Sequence, residues 1–326
     1  MNHNNAKNSE NSNKNRANIM KIINDRHSLV NKINICKHLD NEIDDILEKK
    51  TSKHKSILVL SGGGAKGTAH LGVIDELIHR DMFKHIDTWA CTSAGALIGV
   101  LITCGYSPRD VLDLLSMLGI NKLKSPHIQN LLTDFGFDSG DRFEIVLKKV
   151  VEAKGFDANF TFSDHYRKTR KKLIITGTCI NDKKVYYFSV DTFPHMPVLT
   201  AARISMAIPG YFTPVYYEGK LFLDGGCIDN YPIRLFADKL NQVIGVYIGK
   251  NTHETAKIEH LEGFIINTID CLLEGSAFSA CNGFEKYTIR ININLSMFEF
   301  DLSKDQLYEL FENGKKTAIK YLDKLQ

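Results

Sequence analysis

The chain has no paired cysteine motif. Its seven cysteines (Cys36, Cys91, Cys104, Cys179, Cys227, Cys271 and Cys281) are odd in number and include no C-x-x-C, which argues against a disulfide framework and against a structural zinc site. Several lie in apolar stretches, where a free thiol behaves as a small hydrophobe, so the expected compartment is reducing and cytoplasmic. Strong charge is also missing. The 41 Lys and Arg residues against 38 Asp and Glu leave a net +3, too little to point to nucleic acid. The basic clusters at 14–26 and 168–172 (KTRKK) read as solvated faces, and anionic lipid headgroups are the partner either would suit. No run approaches the roughly eighteen apolar residues of a membrane-spanning helix, and the Asn- and Lys-rich start has no apolar core of a secretory signal. Any membrane contact is therefore expected to be peripheral.

What is present is the composition of an ordinary globular protein, 43% apolar and 24% charged over 326 residues. Residues 1–16 are almost wholly polar and are expected to be disordered, because they cannot bury enough apolar surface to offset the entropy of ordering. Over 17–54 apolar residues return at helical spacing (Ile19, Ile22, Ile23, Leu29, Ile33, Ile43, Ile46, Leu47) and predict a helical extension. The main domain is expected over 55–250, with helices and one strand of 251–326 packed on it. Short apolar runs at 56–61 (SILVLS), 86–91, 172–180, 184–190, 221–223, 242–248 and 287–293 read as strands. Helical patterns fall between and after them, one through Leu71, Ile74, Leu77 and Ile78 and others at 94–103, 107–118, 140–154, 258–280 and 304–325. Strands alternating with helices predict an α/β domain with a mostly parallel sheet. There is no internal repeat.

Three motifs carry chemistry. Gly62-Gly63-Gly64-Ala65-Lys66-Gly67 follows a predicted strand and precedes a helix. Glycines let backbone N–H groups approach a ligand, and a helix start adds unpaired donors. Taken alone, the loop also fits a dinucleotide-binding G-x-G-x-x-G, with Asp87 twenty residues beyond Gly67. It is no Walker A loop, because Thr68 follows Gly67 directly. Cys91-Thr92-Ser93-Ala94-Gly95 is a G-x-S-x-G nucleophile elbow with Cys in place of the first Gly; alone it competes with an N-capping serine. Asp224-Gly225-Gly226 places a carboxylate at a strand end before a sharp turn, and alone it reads as a turn.

Together the glycine loop, the serine elbow about thirty residues on and the distant Asp-Gly-Gly resemble the patatin-like phospholipases. The resemblance runs from about Ser56 to Asp238 and includes AARISMAIPGYFTP (201–214) and LFLDGGCIDNYPI (221–233). It implies a three-layer sandwich with a mostly parallel central sheet flanked by helices. It further implies a Ser–Asp dyad without catalytic His: Ser93 as nucleophile, Asp224 as general base, and Gly62, Gly63 and Gly64 as the oxyanion loop. Cys91, Thr92, Ala94, Gly95, Lys66, Gly67, Gly225 and Gly226 would support them. The implied activity is hydrolysis of fatty-acyl esters, of phospholipase A or esterase type, on a lipid substrate and with no metal or cofactor. Oligomeric state is not readable.

Two departures from the family pattern stand out. Cys91 replaces the usual glycine and is expected to strain the elbow or narrow the site. Lys66 replaces a frequent Arg, keeping charge but not bidentate geometry. A Ser–His–Asp hydrolase would need a histidine after Asp224, and only His253 and His260 qualify, both in polar surroundings. His70 reads as a packing residue. The alternatives are a catalytically silent lipid-binding homologue and a nucleotide-binding α/β protein using Gly62–Gly67. On the late helix, Leu261, Phe264, Ile265, Ile269, Leu272 and Leu273 read first as core and second as a cover for the site or a lipid contact.

Overall fold

The computed structural model describes residues 54–118, 133–250, 258–295, 299 and 301–325. The expectations for 1–53, and that for His253, fall outside this set. Residues from His54 onward form one compact unit.

The chain enters the sheet with β1, Ile57–Leu60, and turns through the glycine loop into helix α1, Ala69–His79. Strand β2, Thr88–Cys91, leads into α2, Ala94–Thr103, and then α3, Pro108–Leu118. Ser107 and Asp110 cap α3 reciprocally, side chain to amide, at 3.1 and 3.0 Å. Strand β3 (Gly136–Asp138), α4 (Asp141–Ala153) and α5 (Phe162–Thr169) follow, and then the antiparallel pair β4 (Lys172–Cys179) and β5 (Lys184–Ser189). Helix α6, Val198–Ser205, precedes the short strands β6 (Gly210–Phe212), β7 (Val215–Tyr217) and β8 (Lys220–Asp224). Strand β9 (Val243–Gly249), α7 (Leu261–Cys281), β10 (Thr288–Asn292) and α8 (Lys304–Leu322) complete it.

Five strands run parallel in the order β10, β9, β1, β2, β4, and β8 and β7 extend this sheet antiparallel. The period-2 alternation of strand side chains sorts residues between its two faces. Leu58 and Leu60 of β1 join Trp89, Cys91, Ile244, Val246 and the apolar sides of α1 and α2 in one core. Ile57 and Val59 join Ala90, Val243, Tyr247, Tyr231 and Ile233 in the other. This is why SILVLS reads as an unbroken apolar run: both faces are covered. The result is a mixed α/β fold with a mostly parallel central sheet flanked by helices. Where α8 crosses α1 the two backbones nearly touch, for a Cβ on Gly72 would stand 1.9 Å from the Phe311 carbonyl oxygen.

Candidate active site

The eight-residue strand β4 is the ruler of the site. Along one edge its residues Ile174–Cys179 pair with β5. On the other edge Lys172–Ile175 pair with β2 in parallel, and Gly177–Cys179 pair with β8 antiparallel. Strands β2 and β8 therefore approach each other head-on along the same edge. The first ends with Cys91 opposite Ile175, the second with Asp224 opposite Gly177. Only Thr176 separates the two registers. Its hydroxyl fills the gap, donating to Thr92 Oγ1 at 2.8 Å, and Thr92 Oγ1 donates in turn to the Asp229 carbonyl at 3.1 Å.

Two residues past Cys91 the backbone turns sharply. Ser93 has φ 53° and ψ −121°, a positive φ that costs a non-glycine residue strain and is held only by its surroundings. One holder is Ser205 at the end of α6, whose Oγ accepts the Ser93 amide at 2.8 Å. The turn leaves Ser93 7% exposed, with its Oγ donating to Asp224 Oδ2 at 2.6 Å. Asp224 is 2% exposed. Its Oδ1 accepts the Gly226 amide at 2.7 Å, and its own amide donates to Ala207 O at 2.9 Å. Burial pushes the Asp224 carboxyl up to about 7, against the opposing pull of the bonds from Ser93 and Gly226. A carboxylate with such an affinity is a competent proton acceptor at neutral pH.

The glycine loop lies beside this pair but does not use all its amides alike. The Gly62 N–H donates to the Asn230 carbonyl at 3.0 Å, which corrects the expectation that all three glycines offer donors to an oxyanion. Gly62 serves instead as a close-approach residue, since a Cβ there would meet Asn230 Oδ1 at 2.2 Å and Ser93 Cβ at 3.2 Å. Among the described residues the Gly63 and Gly64 amides have no protein acceptor, and Gly64 lines the cleft with Ser93. Gly67 and Gly95 let loop, strand end and α2 pack closely: a Cβ on Gly67 would stand 2.6 Å from Ala94 Cβ, and one on Gly95 2.6 Å from Ser61 O.

Lys66 is buried and does not line the cleft. It faces Asp270 and Glu274 of α7, with Lys250 also in range; desolvation lowers its pKa and the two carboxylates oppose that. The Cys91 thiol is fully buried and off the cleft wall, so it does not narrow the site, and burial pushes its pKa up. Gly225 sits against Thr176, and α7 packs on the Gly225–Cys227 turn. His70 is buried, donates through Nε2 to Ser61 O at 2.8 Å and has its pKa lowered to about 4 by burial; it is a packing residue. His260 lies exposed just before α7.

The cleft holds about 600 Å³ of empty space, counting its open mouth, and its walls beyond Ser93 and Ala94 are Leu97, Phe143, Met206, Ile208 and Phe212, with Arg203. Three polar contributors are not singled out by sequence, Ser205 and Asn230 although they lie in the segments that carry the resemblance and Thr176 because nothing local marks it; they meet the motif residues across 112, 168 and 84 positions. The basic run 168–172 is not a free patch. Lys168 Nζ caps the end of α4 by donating to Lys154 O and Gly155 O at 3.2 and 2.5 Å, Lys171 donates to Ile86 O at 2.7 Å, and Lys172 pairs with Asp191.

The sequence profile of the patatin-like phospholipases matches residues 58–237. The chain is 30% identical over 284 residues to the uncharacterized protein R571 of Acanthamoeba polyphaga mimivirus, covering 82% of this chain and 94% of that one. It is 30% identical to the probable lipid hydrolase 463L of Invertebrate iridescent virus 6, covering 56% and 63%. It is also 30% identical to lysophospholipase NTE1 of Mycosarcoma maydis over 59% of this chain, which is 10% of that much longer protein. The crystal structure of VipD from Legionella pneumophila superposes with a TM-score of 0.63 at 19% identity, covering 84% of this chain and 67% of that one, a likeness of fold. With the profile spanning more than half of the sequence, and with serine elbow, glycine loop and Asp-Gly-Gly turn gathered around one cleft, the chain belongs to the patatin-like phospholipase family.

Proposed function

We propose that this protein is a lipid acyl hydrolase, of phospholipase A or esterase type, working through a Ser93 acyl-enzyme with Asp224 as general base. The observation that carries the reading is the 2.6 Å hydrogen bond from Ser93 Oγ to a buried carboxylate whose pKa stands at about 7. A serine hydroxyl is a weak nucleophile until a neighbouring base takes its proton. In the proposed cycle Asp224 takes that proton as Ser93 attacks the ester carbonyl, and the amides of Gly63 and Gly64 hold the developing oxyanion. Each such donor contributes roughly 3–4 kcal/mol of transition-state stabilisation. Asp224 then returns the proton to the leaving alcohol. Water, deprotonated by Asp224, releases the fatty acid from Ser93. The apolar cleft walls receive the acyl chain.

A lipid surface as the source of substrate is supported by α7. Phe264 and Leu272 are 57% and 69% exposed on it, and Ile258 just before it is 53% exposed, while Leu273 is buried. Because α7 also packs on the turn that follows Asp224, an apolar contact there would set the cleft against a membrane from the aqueous side. Side chains 261 and 265 lie outside the described residues.

The test is a fluorophosphonate probe and a short-chain p-nitrophenyl ester, followed by turnover of a lipid mixture with mass-spectrometric identification of products. Labelling at Ser93, and loss of ester cleavage in both Ser93→Ala and Asp224→Asn, are expected. A folded wild-type protein that neither labels nor turns over would identify the catalytically silent homologue instead.

A further inference from the structure

The amides of Gly63 and Gly64 belong to peptide planes that are each gripped at the opposite end. Consecutive glycines have little conformational preference of their own, so the aim of these N–H groups depends on what holds each plane. A peptide is flat and trans, and its N–H points away from its C=O. The Gly63–Gly64 plane is held through the Gly63 carbonyl, which accepts the Lys66 amide at 3.1 Å. Any residue but proline at that position supplies such a donor. The Gly62–Gly63 plane is held through the Gly62 carbonyl, and there the donor is a side chain, Ser61 Oγ at 2.8 Å.

Ser61 is fully buried and stands one residue beyond β1, where the chain leaves the sheet. Its amide still donates to Val246 O at 3.0 Å, the last regular rung of the parallel ladder with β9. The following rung of such a ladder would carry the Ile248 amide to the Ser61 carbonyl. Here that carbonyl is taken by His70 Nε2 at 2.8 Å, and the Ile248 amide donates to Ser61 Oγ at 3.0 Å instead. With Ile248 as donor to its oxygen, the hydroxyl directs its own proton to the Gly62 carbonyl. The side chain thus replaces the ladder's acceptor and passes the grip of the sheet to the first plane of the glycine loop. Satisfying Ile248 alone would need no hydroxyl, since the ladder's own carbonyl would serve; holding Gly62 does. The plane so held begins against the nucleophile, for a Cβ on Gly62 would stand 3.2 Å from Ser93 Cβ.

We propose that Ser61 is a positioning residue for the oxyanion donor of Gly63, acting through the Gly62 carbonyl. It takes no part in the proton transfer between Ser93 and Asp224 and touches no substrate. This rests on the acyl-hydrolase reading and refines the oxyanion site within it.

The test uses the whole chain and compares p-nitrophenyl butyrate with its thiono analogue, in which sulfur replaces the carbonyl oxygen. Sulfur accepts hydrogen bonds weakly, so the ratio of kcat/KM for the two esters reads the oxyanion donors and not the dyad. Ser61→Cys fills the same space with a weak donor, and Ser61→Ala removes the donor outright. In both, kcat for the oxygen ester is expected to fall by about 10–100-fold with KM changed less than about threefold, and the oxygen-to-sulfur ratio to fall at least about tenfold. Ser61→Thr keeps the hydroxyl and should hold that ratio within about threefold of wild type. An unchanged ratio in folded Ser61→Cys or Ser61→Ala overturns the proposal, whatever the loss of turnover, and assigns the side chain to the β9 ladder alone. A ratio lost in Ser61→Thr as fully as in Ser61→Cys assigns the position to packing and overturns it as well. Failure of the hydrolase reading shows separately, as wild-type protein that neither labels with fluorophosphonate nor cleaves either ester, and it takes this inference with it.

Discussion

The thiol of Cys91 and the backbone of Gly99 fill complementary space: a Cβ on Gly99 would stand 2.8 Å from Cys91 Sγ and 3.6 Å from its Cβ. The side chain that replaces the family's elbow glycine is thus accommodated by a bare position on α2, away from the cleft. Gly99→Ala is expected to cost about 1–3 kcal/mol by overpacking. Cys91→Gly combined with Gly99→Ala should recover most of it, which denaturant titrations arranged as a double-mutant cycle would read. Cys91→Gly alone should keep fluorophosphonate labelling within about threefold, because the thiol does not line the cleft. A Gly99→Ala protein as stable as wild type would count against this account.

The pKa of Asp224 sets two opposed pH profiles. As the proposed base it must be ionised, so kcat/KM for a p-nitrophenyl ester should fall tenfold per unit as pH drops below about 7. For stability the sign reverses. The folded state holds the Asp224 proton more tightly than the unfolded chain, whose value is near 3.8. This group's stabilising contribution is therefore complete below about 4 and is lost as pH rises through about 7. Asp224→Asn should abolish turnover while raising the melting midpoint at pH 8, by about 2–4 °C for each kcal/mol recovered. A variant that melts lower at pH 8 than wild type would contradict the burial argument.

Ser205 holds the backbone of the proposed nucleophile, accepting the Ser93 amide. Replacing it with Ala leaves the Ser93 amide without its acceptor, at a cost of about 1–3 kcal/mol. The positive φ of Ser93 loses a restraint at the same time. Labelling by fluorophosphonate is expected to slow by about 10–100-fold with KM for the short ester little changed. An unchanged labelling rate would show that the elbow is held without it.

Gly225→Ala should separate the two halves of the dyad. The new Cβ would meet Thr176 Oγ1 at 2.0 Å and the Thr176 carbonyl carbon at 2.8 Å, so trimming Thr176 to Ala cannot restore room. Labelling of Ser93 is expected to fall more than about 100-fold with far-ultraviolet circular dichroism retained, since the clash displaces Asp224 rather than the parallel strands. Full labelling in Gly225→Ala would mean that β8 shifts without moving its carboxylate.

Ser93, Asp224 and the loop Gly62–Gly67 are legible because each is a strand end followed by small residues, a local pattern. What makes them a site is not local. The pairing of β2 and β8 along one edge of β4 depends on register, and neither Thr176 nor Ser205 carries a mark of it. The loss of the Gly62 amide to Asn230 is likewise a contact between distant segments. The parallel strands were legible because both their faces are buried, whereas β3, β6 and β7, three residues each, are too short to show a period. Helix α5 had a signal that could have found it: Thr161 and Asp164 form a capping box. Its polar composition hid it. The spacing of Phe264 and Leu272 suggests core, and their exposure reverses that; apolar periodicity says that a stripe exists and not what covers it.

Asp224, at the end of β8, follows Ser93 by 131 residues and comes to the β4 edge only with that late strand. A nascent or truncated chain ending before Lys220 therefore lacks the carboxylate that accepts the Ser93 hydroxyl. The order of synthesis thus acts as a safety catch: the proposed dyad is assembled only when the second half of the sheet has docked.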